Sequence, residues 1–330
     1  MRAMVFDRYG EPDVMRLRDL PVPEPQEGEV LIRVGYAGVN PADSKTRAGL
    51  STRAGVAFPF VTGMDAAGVI ERRGAKVAEF RRGDRVITWG AVHGKAWGTY
   101  AEFVRVSASH VAPMPKSLNF AQAAAVPIAS LAAFQCLFHP EQGGMIPGQK
   151  VLINGAAGGV GSFAVQFAKS GGLLVAATCR TANVSYVRGL GADHVVDYRT
   201  EDVCRAVRDW STEGVDVVLD AVGPATLPRA LDMLRPGGRL VNVLTVTADG
   251  DVERDRKEAE RRGFHKITTV IDFERARGSM LEITQLIDGG LVRLPPIEVL
   301  PLEEVARGHR MIDTGHVRGK LVLKVAEICA

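Results

Sequence analysis

One segment of this 330-residue chain constrains its fold more than any other. The run LINGAAGGVG, residues 152–161, overlaps a short apolar stretch of β-branched character, Val151–Asn154, and leads into a helical stretch. A glycine-rich turn between a strand and a helix lets the backbone approach a phosphate, and the helix N-terminus supplies free N–H groups. The strict GxGxxG pattern is not met, because Ala156 stands at its first glycine before Gly158 and Gly161. We predict a dinucleotide-binding loop formed by Gly155, Ala156, Ala157, Gly158, Gly159, Val160 and Gly161.

Strand-like and helical segments alternate after this loop. Residues 173–178, 194–196, 215–219 and 240–244 have strand character, and helical stretches separate them. Such alternation predicts a parallel, doubly wound Rossmann sheet. The chain before Pro115 contains short strands bounded by Gly or Asp, and strand-like pieces return from about Arg293, which predicts a mostly β, barrel-like domain. We therefore predict an α/β protein with one domain at 1–118, completed by 291–330, and a nucleotide-binding domain at 119–290.

Composition excludes several classes of partner. The net charge is +3, from 41 basic and 38 acidic residues, which predicts no nucleic-acid or membrane partner. The apolar stretch Ala121–Phe138 contains Gln122, Pro127 and Gln135, which favours a pair of buried helices over a bilayer span. No targeting segment is evident, because charged residues interrupt the N-terminal region, so we predict a cytoplasmic location.

The residues that follow the first strand after the glycine loop, at 173–178, predict which dinucleotide is bound. An Asp or Glu at this point would bind the ribose hydroxyls of NAD. The chain instead has Thr178, Cys179 and Arg180, with no acidic residue. A guanidinium suits a 2′-phosphate, so Arg180 predicts NADPH, with a surface arginine as the alternative.

Several segments together carry a family resemblance. The run Gly148–Gly161, followed by Gln166 and Lys169, resembles the signature of the quinone oxidoreductase/zeta-crystallin family within the medium-chain dehydrogenase/reductase superfamily. The resemblance covers nearly the whole chain. The other matching segments are Val39–Asp43, Gly63–Gly68, Gly98–Glu102, Leu190–Tyr198 and His316–Val322.

The resemblance implies a GroES-like β-barrel catalytic domain beside the Rossmann domain, and a homodimer. It places Tyr198 near the 2′-phosphate and Ala221, Val222 and Gly223 beside the nicotinamide ribose, although a plain strand-end turn is the alternative for that segment. Where relatives have a threonine in a GLTA run, this chain has Ser130-Leu131-Ala132-Ala133, so Ser130 becomes the candidate contact. The complete set of predicted cofactor contacts comprises the glycine loop 155–161, the four residues implied by the resemblance, Ser130, and also Thr178, Arg180, Leu244 and Lys320.

The resemblance also bears on metal and mechanism. Asn40 stands where zinc-dependent relatives have a cysteine ligand, and Met64 replaces their histidine. The four cysteines are far apart, without metal-ligand spacing, and His93 has no partner at useful spacing, so no metal is predicted. We then expect hydride transfer from NADPH to a quinone or an α,β-unsaturated carbonyl compound. Asn40 is the predicted neutral hydrogen-bond donor, either to a substrate carbonyl or to the nicotinamide ribose, and Asp43 is predicted to position a neighbouring group. Lys45 is the candidate donor to an enolate, with a surface lysine as the alternative.

Two other functions remain open at this point. One is a crystallin-like protein that binds NADPH with little turnover, because nothing in the loop separates binding from catalysis. The other is a zinc-free enone or acyl reductase with a narrow metabolic substrate, because the residues expected to line the acceptor pocket are chemically nondescript. Catalytic turnover separates the first from the reductase prediction.

Overall fold

The computed structural model describes residues 1–50, 57–90, 98–223, 226–243, 251–269 and 271–328, with backbone alone at 251–255. Its strands and helices, in chain order, are β1 (Arg2–Val5), β2 (Arg16–Asp19), β3 (Glu29–Val39), α1 (Pro41–Ala48), β4 (Asp65–Arg73), β5 (Arg85–Thr88), β6 (Phe103–Ser107), β7 (Val111–Pro113), α2 (Phe120–Ala124), α3 (Pro127–Phe138), β8 (Lys150–Asn154), α4 (Gly159–Ser170), β9 (Leu174–Cys179), α5 (Val184–Gly189), β10 (His194–Asp197), α6 (Val203–Trp210), β11 (Val215–Asp220), β12 (Leu234–Asn242), α7 (Asp251–Arg261), β13 (His265–Thr268), α8 (Phe273–Asp288), β14 (Ile297–Pro301), α9 (Val305–Asp313) and β15 (Lys320–Lys324).

These elements form two compact units. The first unit comprises 1–129, 273–289 and 296–330, and the second comprises 130–272 and 290–295. The sequence-based boundaries, 1–118 with 291–330 and 119–290, stay a prediction about separable domains. Among the described residues, no helix is long and apolar enough to cross a membrane.

The second unit contains a six-stranded sheet in the order β10-β9-β8-β11-β12-β13, with every neighbouring pair parallel. Counted from β8, this is the Rossmann order 3-2-1-4-5-6, which confirms the predicted doubly wound sheet. The central strand β8 is apolar and fully buried at Val151, Leu152 and Ile153, as a parallel strand covered on both faces requires. The register places Asn154, at the end of β8, opposite Asp220, which in turn lies opposite Asn242. Polar side chains therefore meet at the carboxyl edge of the sheet.

The first unit is built on a mostly antiparallel seven-stranded sheet. Its order is β14-β15-β3-β4-β5-β7, and β6 also pairs with β3. The long strand β3 has a buried face at Val30, Ile32 and Val34, because alternate residues point into the core. Its partner β15 comes from the end of the chain, in antiparallel register. The predicted β character of this part of the chain is confirmed.

The sequence predicted one of two helical regions and missed the other. The apolar stretch Ala121–Phe138 forms the buried pair α2 and α3, and Pro127 is the first residue of α3, a position where its missing N–H is not needed. The region after Arg293 forms the predicted strand-like pieces, β14 and β15, but a helix, α9, lies between them. Its buried residues, Val305, Gly308 and His309, have helical spacing. Ala306, Met311 and Ile312 also pack against the core, so the apolar residues of α9 follow a helical spacing that the sequence prediction missed.

Candidate active site

The glycine loop between β8 and α4 has the geometry of a phosphate cradle. Gly158 is the N-cap residue of α4 and has no side chain, so no side-chain cap covers the N–H groups of the first helical turn. A Cβ atom on Gly161 would lie 2.3 Å from the Gly155 oxygen and 2.6 Å from Ala156 Cα, so only glycine fits there. Around Gly158 a Cβ atom would meet only the Gly155 oxygen within 4 Å, at 3.4 Å. The free helix terminus and open space fit a dinucleotide pyrophosphate.

The left-handed turn falls one residue before the position expected from the motif. Gly155 has a φ angle of 80°, a conformation that favours glycine, whereas Ala156 is fully buried with ordinary φ. Ala156 at the first motif position therefore creates no strain. The predicted loop keeps its turn because Gly155 supplies the required conformation.

Beneath the loop, four polar side chains join the ends of β8, β9, β11 and β12; we call Asn154, Thr178, Asp220 and Asn242 the strand-end network. None is more than 3% exposed. Thr178 Oγ1 donates to Asn154 Oδ1 at 2.6 Å, and Asn154 Nδ2 donates to Asp220 Oδ1 at 2.8 Å. Thr178 Oγ1 also accepts from the Gly155 N–H at 3.3 Å. The network thus holds the first residue of the glycine loop.

The same network fixes the turn after β11. Asp220 Oδ1 accepts from the backbone N–H groups of Val222 at 3.0 Å and Gly223 at 2.8 Å. Val222 is 46% exposed, and its Cγ2 atom lies 2.5 Å from the place that a Cβ atom on Gly155 would occupy. The predicted segment Ala221, Val222 and Gly223 is therefore adjacent to the glycine loop, with an apolar side chain left uncovered.

Arg180 and Tyr198 lie together at the ends of β9 and β10. Arg180 Nε donates to the Tyr198 hydroxyl at 2.8 Å, and both side chains are half-buried. In the part of the chain that the structure describes, the terminal nitrogens of Arg180 have no hydrogen-bond partner. The nearby Asp197 carboxylate is engaged by Thr181, whose hydrogen bond lowers the pKa of Asp197. This pair leaves guanidinium donors available to an anionic group.

A second polar group lies in the first unit; we call Asn40, Asp43, Asp65, Tyr100, His309 and Lys320 the charged cluster. Asn40 is 3% exposed, and its Nδ2 donates to Asp65 Oδ2 at 2.9 Å while its Oδ1 accepts from Lys320 Nζ at 2.6 Å. Lys320 Nζ also donates to the Val39 carbonyl at 3.2 Å and lies 3.5 Å from Asp65 Oδ2. The structure brings the predicted residues Asn40 and Lys320 together, with the polar atoms of both already engaged.

The acidic groups of the charged cluster have displaced pKa values. Asp43 Oδ2 accepts from the Asn40 N–H at 2.9 Å and the Tyr100 hydroxyl at 3.1 Å, and its buried Oδ1 has no partner among the described residues. Burial, and then the nearby Asp65 carboxylate, raise the pKa of Asp43 to about 7. Burial also raises the pKa of Asp65, against the opposing effect of Lys320. Burial lowers the pKa of His309 to about 3, so this imidazole is neutral.

Two further predicted residues lie on helices of the described chain, and two others fall outside it. Lys45 is half-buried on α1, and Ser130 is fully buried on α3. Leu244 and His93 lie outside the described residues. Within the described ranges, no cluster of three or more His, Cys, Asp or Glu side chains could hold a metal ion. The absence of a metal from the whole protein stays a prediction.

Sequence reasoning missed several of the residues described above. Asn154, Asp220 and Asn242 were not predicted, although each is a polar residue that ends an apolar strand, a signal that could have identified them. Asp65 and Tyr100 lay inside matching motifs without an assigned role. His309 gave no signal, because its partner Tyr100 is 209 residues away in the chain.

Comparison with known proteins gives two family matches. Residues 26–116 match the alcohol dehydrogenase GroES-like domain, which confirms the GroES-like part of the predicted fold. Residues 190–323 match the family described as zinc-binding dehydrogenase.

Relatives and solved structures match the chain over nearly its full length. Quinone oxidoreductase from Mus musculus is 33% identical, covering 98% of this chain and 97% of the relative. The chloroplastic NADPH-dependent alkenal/one oxidoreductase of Arabidopsis thaliana is 32% identical, covering 98% of this chain and 79% of the relative. The quinone oxidoreductase structure from Coxiella burnetii has 32% identity and a TM-score of 0.87, covering 99% of each chain.

The structure of Escherichia coli quinone oxidoreductase complexed with NADPH has a TM-score of 0.86 and 26% identity, covering 98% of this chain and all of that one. The Rossmann strand order and the glycine loop agree with these similarities in both sequence and structure. The chain belongs to the quinone oxidoreductase-like family of the medium-chain dehydrogenase/reductase superfamily.

Proposed function

We propose that this protein is an NADPH-dependent oxidoreductase that reduces a quinone or the carbon–carbon double bond of an α,β-unsaturated carbonyl compound. The observation that carries the proposal is the uncapped glycine loop at the carboxyl edge of a Rossmann sheet. Relatives named quinone oxidoreductase and alkenal/one oxidoreductase support the substrate classes. The NADPH complex of a structural neighbour supports a nicotinamide cofactor.

The second unit supplies the residues for cofactor binding in this proposal. When bound, NADPH supplies a hydride from C4 of its reduced nicotinamide ring. The backbone from Gly155 to Gly161 holds the pyrophosphate, and Thr178 fixes this loop through the Gly155 N–H. Arg180 and Tyr198 bind the 2′-phosphate, because the terminal guanidinium nitrogens have no partner among the described residues.

The first unit supplies positioning residues and one candidate donor. Because both ends of the Asn40 amide are engaged by Asp65 and Lys320, we assign Asn40 and Lys320 to holding the N-terminus of α1 in place. The expected direct contact of Lys320 with the cofactor is replaced in this proposal by that structural role. Lys45 remains the candidate donor to a developing enolate, and Ser130 and Leu244 remain candidate cofactor contacts. A zinc-free mechanism, a homodimer and a cytoplasmic location complete the proposal.

NADPH oxidation by the purified, EDTA-treated protein tests the activity. The acceptors are ortho- and para-quinones, alkenals and simple alcohol–ketone pairs, with NADH measured in parallel. We expect turnover of quinones or alkenals that survives EDTA and prefers NADPH. Tight NADPH binding without turnover of any acceptor would favour the crystallin-like alternative, and metal-dependent alcohol oxidation would overturn the zinc-free mechanism.

The Arg180→Ala variant tests the cofactor preference. Loss of charge-assisted hydrogen bonds worth roughly 1.5–3 kcal/mol should raise the Kd for NADPH by about 10- to 150-fold. The Kd for NADH, which has no 2′-phosphate, should stay unchanged. Arg199→Ala is the matched control, since Arg199 is an exposed arginine at the same edge of the sheet. Equal weakening of both cofactors by Arg180→Ala would contradict the assigned role.

A further inference from the structure

Asn242, the last residue of β12, contains a buried acceptor without a partner. The side chain is 3% exposed, and its Nδ2 donates to Asp220 Oδ2 at 3.2 Å. Its Oδ1 is fully buried and has no hydrogen-bond partner in the described part of the chain. An unsatisfied buried acceptor costs about 1–3 kcal/mol, and native proteins retain few of them. The oxygen is therefore a candidate ligand contact.

The orientation of this amide is fixed by its neighbour. A carboxylate only accepts hydrogen bonds, so Nδ2 must face Asp220 Oδ2, and a flipped amide would place two acceptors together. The other oxygen of Asp220 is occupied by Asn154 and by the Val222 and Gly223 N–H groups. The strand-end network thus holds Asn242 Oδ1 as an acceptor, directed away from the carboxylate.

The position of Asn242 indicates which part of a dinucleotide would approach it. Asn242 lies opposite Asp220 in the sheet, and Asp220 fixes the turn that leaves Val222 46% exposed. Arg180 and Tyr198 follow β9 and β10, on the other side of β8 in the strand order. If this pair binds the adenosine 2′-phosphate, the opposite end of the dinucleotide extends towards β11 and β12.

We propose that Asn242 Oδ1 accepts a hydrogen bond from the carboxamide N–H of the nicotinamide. A carboxamide on a flat ring presents an N–H donor beside an apolar face, which suits a buried acceptor near the exposed Val222 side chain. Asp220 acts through Asn242 as a positioning residue, because it sets the direction of the amide. This inference rests on the proposed nicotinamide cofactor and names the residue that recognises its carboxamide.

Binding of two nucleotides tests the inference without any measurement of activity. The probes are NADPH and its 3-acetylpyridine analogue, in which a methyl ketone replaces the carboxamide and no N–H donor remains. Isothermal titration gives the Kd of each for the wild-type protein and for Asn242→Leu. We expect the wild type to bind NADPH about tenfold more tightly than the analogue, as one hydrogen bond predicts. In Asn242→Leu this ratio should fall to about one.

Two controls accompany this test: a matched variant, and the ratio of the two Kd values in the wild-type protein. Thr178→Val disturbs the same network on the far side of β8, so it should weaken both nucleotides by the same factor and leave their ratio unchanged. A ratio that persists in Asn242→Leu overturns the inference, as does a wild-type ratio of one, which needs no variant to fold. Failure of the wild type to bind either nucleotide overturns the proposed function instead, so the two failures are distinguishable.

Discussion

The two units bury polar groups in opposite ways. The charged cluster of the first unit contains two carboxyl groups and an ammonium group, and burial displaces the pKa values of Asp43 and Asp65. The strand-end network of the second unit surrounds one carboxylate, Asp220, with amide, hydroxyl and backbone donors. Each group also contains a buried oxygen without a partner among the described residues, Asp43 Oδ1 in the charged cluster and Asn242 Oδ1 in the strand-end network. The first belongs to a carboxyl group whose pKa is raised to about 7, whereas the second belongs to a neutral amide, which does not titrate. In the roles proposed above, the charged cluster supports the fold and the strand-end network serves a ligand.

The largest expected effect comes from breaking the charged cluster. Lys320→Met leaves Asp65 buried without its cation, which typically costs 3–5 kcal/mol of the free energy of unfolding, on the order seen for buried ion pairs. Urea denaturation measures the loss. Lys324→Met on the same strand is the control, because Lys324 pairs with Glu327 at the surface and such pairs contribute about 0–1 kcal/mol. Equal losses in the two variants would show that burial does not distinguish them.

Lys320→Met also tests whether Lys320 supports the fold or contacts the cofactor. Since the Lys320 ammonium donates to Val39 and Asn40 and lies beside Asp65, the variant should leave the Kd for NADPH of the folded protein nearly unchanged. A large rise in that Kd at full folding would return Lys320 to the set of cofactor contacts.

The next effect is a pH dependence confined to the charged cluster. The pKa of Asp43 rises from 3.8 to about 7 on folding, so over this range the folded protein retains a proton that the unfolded chain has lost. Stability contributed by this group is therefore lost as the pH rises from 3.8 to about 7, by on the order of 1.4 kcal/mol per pKa unit, and is constant above that range.

Asp43→Asn isolates this dependence, because an amide resembles the protonated acid and still accepts from Asn40 and Tyr100. We expect the variant to become more stable than the wild type as the pH approaches 7, in urea denaturation curves recorded between pH 4.5 and 9. His309, whose pKa falls to about 3, favours the opposite trend below pH 6.5, but it is common to both proteins. If the free energy of unfolding varied with pH in the same way for both proteins, Asp43 would be ionised throughout this pH range.

The smallest expected effect is on the strand-end network. Thr178→Val removes the donor to Asn154 and the acceptor for the Gly155 N–H, which should cost about 1–2 kcal/mol of the free energy of unfolding. In contrast to Asp43→Asn, this loss should not vary with pH between 4.5 and 9. Thermal denaturation at the two pH extremes checks both statements, and a pH-dependent loss would remove the distinction between the two regions.

The sequence predicted local features better than distant partnerships. The glycine loop was predictable because strand, turn and helix signals lie within about twenty residues, and Arg180 and Tyr198 follow adjacent strands of the same sheet. The charged cluster was not predictable, because Asn40 and Lys320 are 280 residues apart and a buried lysine has no local signature. Motif position predicted Asn40 as a donor to a substrate carbonyl or to the nicotinamide ribose. The amide is instead engaged on both sides by Asp65 and Lys320, which only the folded chain brings close.

The origin of β15 has a consequence for how the protein is synthesised. The second unit is complete once residue 295 has been made, whereas β3 of the first unit still lacks one of its neighbouring strands. Translation adds roughly 5–20 residues per second, so β3 stays without β15, and Asp65 without its lysine, for at least about a second after that point. During this interval the nascent chain presents an unpaired edge of β3, so loss of β15 would leave that edge open to aggregation.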